Sequence, residues 1–142
     1  MSLTVQRASR AAHIPSDALV RKWTRAALSR HAQVTLRYVA ETEGRRINRD
    51  FRGKDYATNV LTFIYATRPL EGDIVICAPV VAREAKQQGK ALAAHHAHLL
   101  VHGLLHLQGL DHEREADAKR MEGRERRILG KLGFDDPYAT IP

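Results

Sequence analysis

Cys77 is the only cysteine, so no internal disulfide can staple this chain. With 142 residues it is long enough to bury a proper core without one, and a single domain over residues 1–142 is the simplest expectation. Cys77 itself ends the apolar run Ile74-Val75-Ile76-Cys77, which reads as a small buried hydrophobe. The N-terminus lacks an apolar leader, because Arg7, Arg10, Arg21, Lys22 and Arg25 interrupt any such run. A cytoplasmic location is therefore expected. Internal repeats, low-complexity tracts and long linkers are also missing. One stretch, Ala91–Leu110, carries no formal charge and nears the roughly 20 apolar residues that a bilayer span requires. Its five histidines and Gln108 make that span costly, so a buried helix carrying a site is expected and a membrane partner is not.

What the chain does have in excess is positive charge, and it is unevenly placed. Residues 1–60 hold twelve Lys/Arg against five Asp/Glu, whereas residues 61–142 hold eleven of each. The whole net charge of +7 thus lies in the first part. A solvated basic surface accounts for this; so does a polyanionic partner, nucleic acid above all, since phosphate neutralisation drives such binding.

Periodicity outlines the elements. Leu3–Ala8 reads as a strand, and Pro15-Ser16 starts a helix whose apolar stripe is Leu19, Trp23, Ala26 and Ala27. Val34–Ala40 alternates with period two. Thr42 is the expected cap of a short helix rich in Arg45, Arg46, Arg49 and Arg52, which Gly53 ends. Asn59–Tyr65 reads as a mostly buried strand, followed beyond the Arg68-Pro69 turn by Asp73–Ala78. Helices are expected over Val80–Gln88, Ala91–Gln108 and Glu113–Leu132, the last with Met121, Ile128 and Leu129 inward. The order β-α-β-α-β-β followed by helices predicts an α+β fold. A small, mostly four-stranded sheet would be covered by helices, with a C-terminal metal-binding helix-turn-helix segment.

Six of the eight histidines fall between His95 and His112. His102 and His106 are four apart, which puts both rings on one helix face, one turn from each other. Gly109 can take positive φ, end the helix and let His112 return toward the same point. Three neutral imidazoles leave one tetrahedral position open, the arrangement of a catalytic zinc. Asp111 is placed to orient a ligand ring or to serve as a base. His95 and His98 extend the same face and, with His96, are read as structural, with ring-supporting or RNA-facing roles as the alternative. The zinc peptidase pattern H-E-x-x-H puts its glutamate directly after the first histidine, where this chain has Gly103.

The motif His102-x-x-x-His106-x-x-Gly109-x-Asp111-His112 resembles the signature of the bacterial YbeY family, metal-dependent endoribonucleases of ribosomal RNA maturation. The blocks Asn48–Asp55, Thr58–Phe63, Gly72–Ile76 and Gly133–Tyr138 are similar to the family as well, so the resemblance runs from about Asn48 to Tyr138. It implies that His102, His106 and His112 ligate one Zn2+ per chain, and that Arg52 serves RNA cleavage or binding beside it. From the residues alone, Arg52 is one of several arginines on a basic helix. The chain departs from the family at Ile64, where a proline often follows the Leu-Ser-Phe strand, so the turn there toward the site is expected to differ.

The leading expectation is a single-strand-specific, zinc-dependent endoribonuclease acting in 16S rRNA 3′ end maturation and ribosome quality control, with single-stranded rRNA and ribosomal particles as partners. Asp111, Glu113 and hydroxide held at the ion all stay open as the group that takes the proton. Two other readings use the same histidines: a metallohydrolase of peptidase type, and a non-catalytic ribosome-associated factor with a structural zinc. Oligomeric state is not legible.

Overall fold

The computed structural model describes residues 1–139; the last three residues of the expected 1–142 domain lie outside them. Among the described residues four strands and five helices follow the order β1 (Ser2–Ala8), α1 (Asp17–Ala27), β2 (Ala32–Val39), α2 (Glu41–Arg52), β3 (Val60–Thr67), β4 (Leu70–Cys77), α3 (Ala78–Gln88), α4 (Leu92–Leu107) and α5 (Glu115–Lys131). This is the α+β arrangement expected. The sheet is mixed and ordered β1-β2-β4-β3: β1 and β4 flank β2 in parallel, and β3 folds back antiparallel on β4.

The larger core lies between one face of the sheet and helices α1, α4 and α5. It gathers Val34, Leu36, Ile74 and Ile76 from the strands, Val20 and Trp23 from α1, Leu100 and Leu104 from α4, and Met121 and Leu129 from α5. A smaller cluster on the opposite face joins Val39, Val75, Cys77 and Val80 to Ile47 of α2 and to Leu61 and Phe63 of β3. Cys77 is buried, as a small hydrophobe in an apolar strand should be. The Ser16 side chain caps α1 by accepting from the Leu19 amide, and Trp23 on the inner face meets Phe134 edge-on at 5.7 Å. The far ends of α1 and α4 are tied by Gln108, whose amide donates to Ala27 O and whose oxygen accepts from the Ser29 amide and hydroxyl.

Three local expectations change. Thr42 does not cap α2: the helix begins at Glu41 straight from the end of β2, with Ala40 as N-cap and no side-chain cap bond. Strand β3 is not mostly buried. Among the described residues it is an edge strand with β4 as its only neighbour in the sheet, Ile64 and Tyr65 are exposed, and it runs through Ile64 to Thr67 with a register shift between Ile64 and Ala66. The third helix begins at Ala78 rather than Val80, because Pro79 is accommodated in a first turn whose amides need no intrahelical partner. Among the described residues no helix is long and apolar enough to cross a membrane.

Helix α4 carries an unusual load. His95 and His96 are both buried on it, and His96 meets Tyr38 edge-on while its Nδ1 finds no hydrogen-bond partner among the described residues. Burial, with the neighbouring His95 second, pushes the pKa of His96 from 6.5 down to about 4. Between those values the unfolded chain binds the proton and the folded one does not, so stability falls as the pH drops through that window. The loss reaches about 3 kcal/mol once the pH is below both values.

Two outcomes follow for equilibrium urea unfolding. Trp23→Ala should cost about 3–5 kcal/mol by opening a cavity beneath Phe134. The wild-type midpoint should decline from pH 6.5 toward pH 4, and His96→Leu should flatten that decline; a slope unchanged by the substitution would show that another group titrates.

Candidate metal centre

His102 and His106 stand one turn apart on α4, both half-buried, as the spacing required. The helix then closes on itself, the Gly109 amide reaching His106 O and the Leu110 amide reaching Leu105 O, with Gly109 at φ +96°. Only a residue without a Cβ adopts that conformation readily, and it turns the chain back toward the helix it has just left. His112 arrives on this exposed loop with its ring centroid 5.3 Å from that of His102 and 6.2 Å from that of His106. The three rings line one pocket of about 180 Å³, whose other wall is Arg52 and the start of β3, Val60 to Thr62. They stand round it rather than clasped: among the described residues no three His, Cys, Asp or Glu side chains already sit at metal-holding distance.

On His102 and His106 one ring nitrogen is engaged. His106 Nδ1 donates to Leu110 O at 3.1 Å, a bond in which only the ring can be donor. His102 Nδ1 lies 2.8 Å from Glu125 Oε1. A neutral ring that donates from Nδ1 keeps its lone pair on Nε2, the state that a metal ligand needs. Burial, foremost, pushes His106 below the ordinary histidine range, so that its ring is neutral at neutral pH.

Glu125 was not singled out by sequence reasoning. It sits among the charged residues of α5, and its one legible signal was its place on the inward stripe with Met121, Ile128 and Leu129. It is fully buried. Burial alone would raise its pKa, but hydrogen bonds from His102, His98 and Tyr138 prevail and hold it at about 2. His98 is thereby tied to Glu125 rather than to the pocket, and His95 pairs with Glu84 at 2.9 Å.

Asp111 turns its Oδ1 to the amides of His112 and Glu113, at 2.6 and 3.1 Å. It shapes the loop that carries His112; the support of the His102 ring comes from Glu125.

Arg52 comes to the pocket from the other side of the sequence. Its Nη2 donates to Thr62 O at 2.8 Å and its guanidinium lies 4.8 Å from the centre of the Phe63 ring. The buried Asn48 side chain, bonded to Tyr56 O, holds the loop between α2 and β3 that makes this return. Phe51 beside it is 65% exposed and edge-on to Phe63.

Gly103, where a peptidase would carry its glutamate, faces the sheet. A Cβ there would stand 3.3 Å from Ile74 and Thr62 side-chain atoms, tighter than ordinary contact, so the position is taken up by packing of α4 on β3 and β4.

An α+β fold that sets a histidine-lined pocket against an arginine on a basic helix can place positive charge beside a phosphate ester. A family model described as Endoribonuclease YbeY matches residues 4–133. A protein named Endoribonuclease YbeY from Aromatoleum aromaticum is 59% identical over 98% of this chain and 93% of its own length. Another of that name, from Nitrosospira multiformis, is 55% identical over 98% of this chain and 82% of its own. The solution structure of a Thermotoga maritima protein shares the fold, with a TM-score of 0.59 at 20% identity over 97% of this chain and 99% of that one. The chain belongs to the YbeY endoribonuclease family. The likeness extends well ahead of Asn48, where the resemblance read from the motifs begins.

Proposed function

We propose that this protein is a zinc-dependent, single-strand-specific endoribonuclease that acts on ribosomal RNA at the 3′ end of 16S rRNA and in ribosome quality control, in the cytoplasm. The observation that carries the reading is the meeting of His102, His106 and His112 with Arg52 round one pocket. Family membership supports the RNA substrate and its ribosomal origin. The donor set supports zinc: three imidazoles, two of them with Nδ1 engaged and Nε2 free, suit that ion and leave a position open for substrate. A bound ion would supply Lewis-acid polarisation of a phosphoryl oxygen and a lowered pKa for water.

The chain's own residues do the rest. Arg52 is held at the rim by Thr62 O and the Phe63 ring, with further N–H groups to donate to a non-bridging phosphate oxygen as negative charge builds there. A guanidinium does not lose its proton at ordinary pH, so Arg52 stabilises charge and is not the base. The α2 arginines offer the backbone of the substrate positive charge, although Arg45 is partly committed to Asp55 and Arg49 to Asp50. The exposed Phe51, next to Arg52, gives an unpaired base a ring to stack on, which a base locked in a duplex cannot use. The peptidase reading is disfavoured by Gly103, whose position is occupied by sheet packing rather than open to a base.

With zinc-loaded protein and end-labelled RNA, cleavage of single strands should exceed cleavage of duplex, and His102→Ala should abolish it. Arg52→Ala should slow the cut by about 10²-fold or more if it stabilises developing charge. Equal cutting by wild type and His102→Ala would assign the activity to a contaminant and end the proposal. Phe51→Ala should weaken binding of a single-stranded oligonucleotide by about 1–3 kcal/mol, read by fluorescence anisotropy, with little change for duplex.

A further inference from the structure

We propose that Glu125 is a positioning residue for the metal centre: its carboxylate holds the His102 ring in one tautomer, with Nδ1 protonated and Nε2 free toward the pocket. The inference rests on the reading of His102 as a metal ligand. Nothing in the histidine motif points to this residue, which lies on the next helix, 23 positions beyond His102.

A fully buried carboxylate with no lysine or arginine bonded to it among the described residues is costly unless its oxygens are hydrogen-bonded. Here they are. Oε1 accepts from His102 Nδ1 at 2.8 Å, while Oε2 accepts from His98 Nε2 at 2.9 Å and from the Tyr138 hydroxyl at 2.6 Å, whose oxygen also lies 3.1 Å from Oε1. One partner is the proposed ligand; the other two hold Oε2 and so fix how the carboxylate is turned.

Those two partners are themselves anchored. Tyr138 stands edge-on to His98 at 5.2 Å and its amide donates to Asp136, which in turn pairs with Arg126 at 3.0 Å. The segment that carries it begins at Phe134, packed on Trp23 of α1. The ring at the pocket is thus braced through Glu125 by the C-terminal segment and by α5.

A merely structural clamp between α4 and α5 would use the same bonds, so the role must be separated by what the substitution disturbs. Glu125→Gln keeps the volume and can still pair its oxygen with His102 Nδ1–H and its amide with His98, while removing the negative charge that makes the ring a better donor. Zinc affinity should fall about 10–100-fold in chelator competition, measured on a metal-free variant that circular dichroism shows to be folded. Tyr138→Phe, which leaves the carboxylate on His102, should lower the affinity by less.

The tautomer is read separately on the metal-free wild type, from long-range nitrogen–proton NMR correlations of the imidazoles. His102 should carry its proton on Nδ1. Unchanged zinc affinity in Glu125→Gln, or a His102 proton on Nε2 in the wild type, overturns the proposal. Should the wild type bind no zinc at all, the metal reading fails by itself, and the NMR result still decides whether Glu125 sets the ring.

Discussion

Helix α4 packs against the sheet at Gly103 and is enclosed by α1, α3 and α5, so that ten of its sixteen residues are buried, two of them histidines. Most else in the molecule answers to that enclosure. An imidazole inside a protein needs a partner for its N–H or must give up its charge. His95 meets Glu84, His98 and His102 share Glu125, and His106 meets the carbonyl of Leu110. Among the described residues His96 has only the edge of Tyr38, and it remains neutral well below the usual histidine range. The same burial that stabilises the helix therefore decides what each ring along it must meet.

The closeness of α4 to the sheet also decides what chemistry the site can host. Gly103 lets the helix settle onto Ile74 and Thr62, and Thr62 also bounds the histidine pocket and fixes Arg52 through its carbonyl. One contact thus removes the position where a peptidase base would stand and brings the start of β3 up to the rings. Because β3 is the sheet edge, its outer side is open next to Arg52 and Phe51. A long, flexible polyanion can reach the pocket across that edge.

Much of the site was legible because it is local. Spacing of four on a helix and a glycine break require only helical geometry, and His102, His106 and His112 do line one pocket. The capping serine, the αL glycines and the inward face of α5 were readable for the same reason. Thr42 misled, since a strand that runs directly into α2 leaves no place for a side-chain cap. The apolar β3 misled too, since hydrophobicity reports a preference for burial and not which strands remain to supply it.

The sequence by itself determined the histidine frame on α4 and its loop, the element order, and the basic character of the chain's first part. Tertiary structure alone decided that Arg52 faces the histidines across the pocket, that Asp111 spends its oxygen on backbone amides, and that Glu125 holds His102. The reason is physical. Periodicity encodes which side of an element turns inward, but the partner met there depends on how elements far apart in the chain pack. A glutamate among many charges on α5 becomes a ring support only when α4 places His98 and His102 against it.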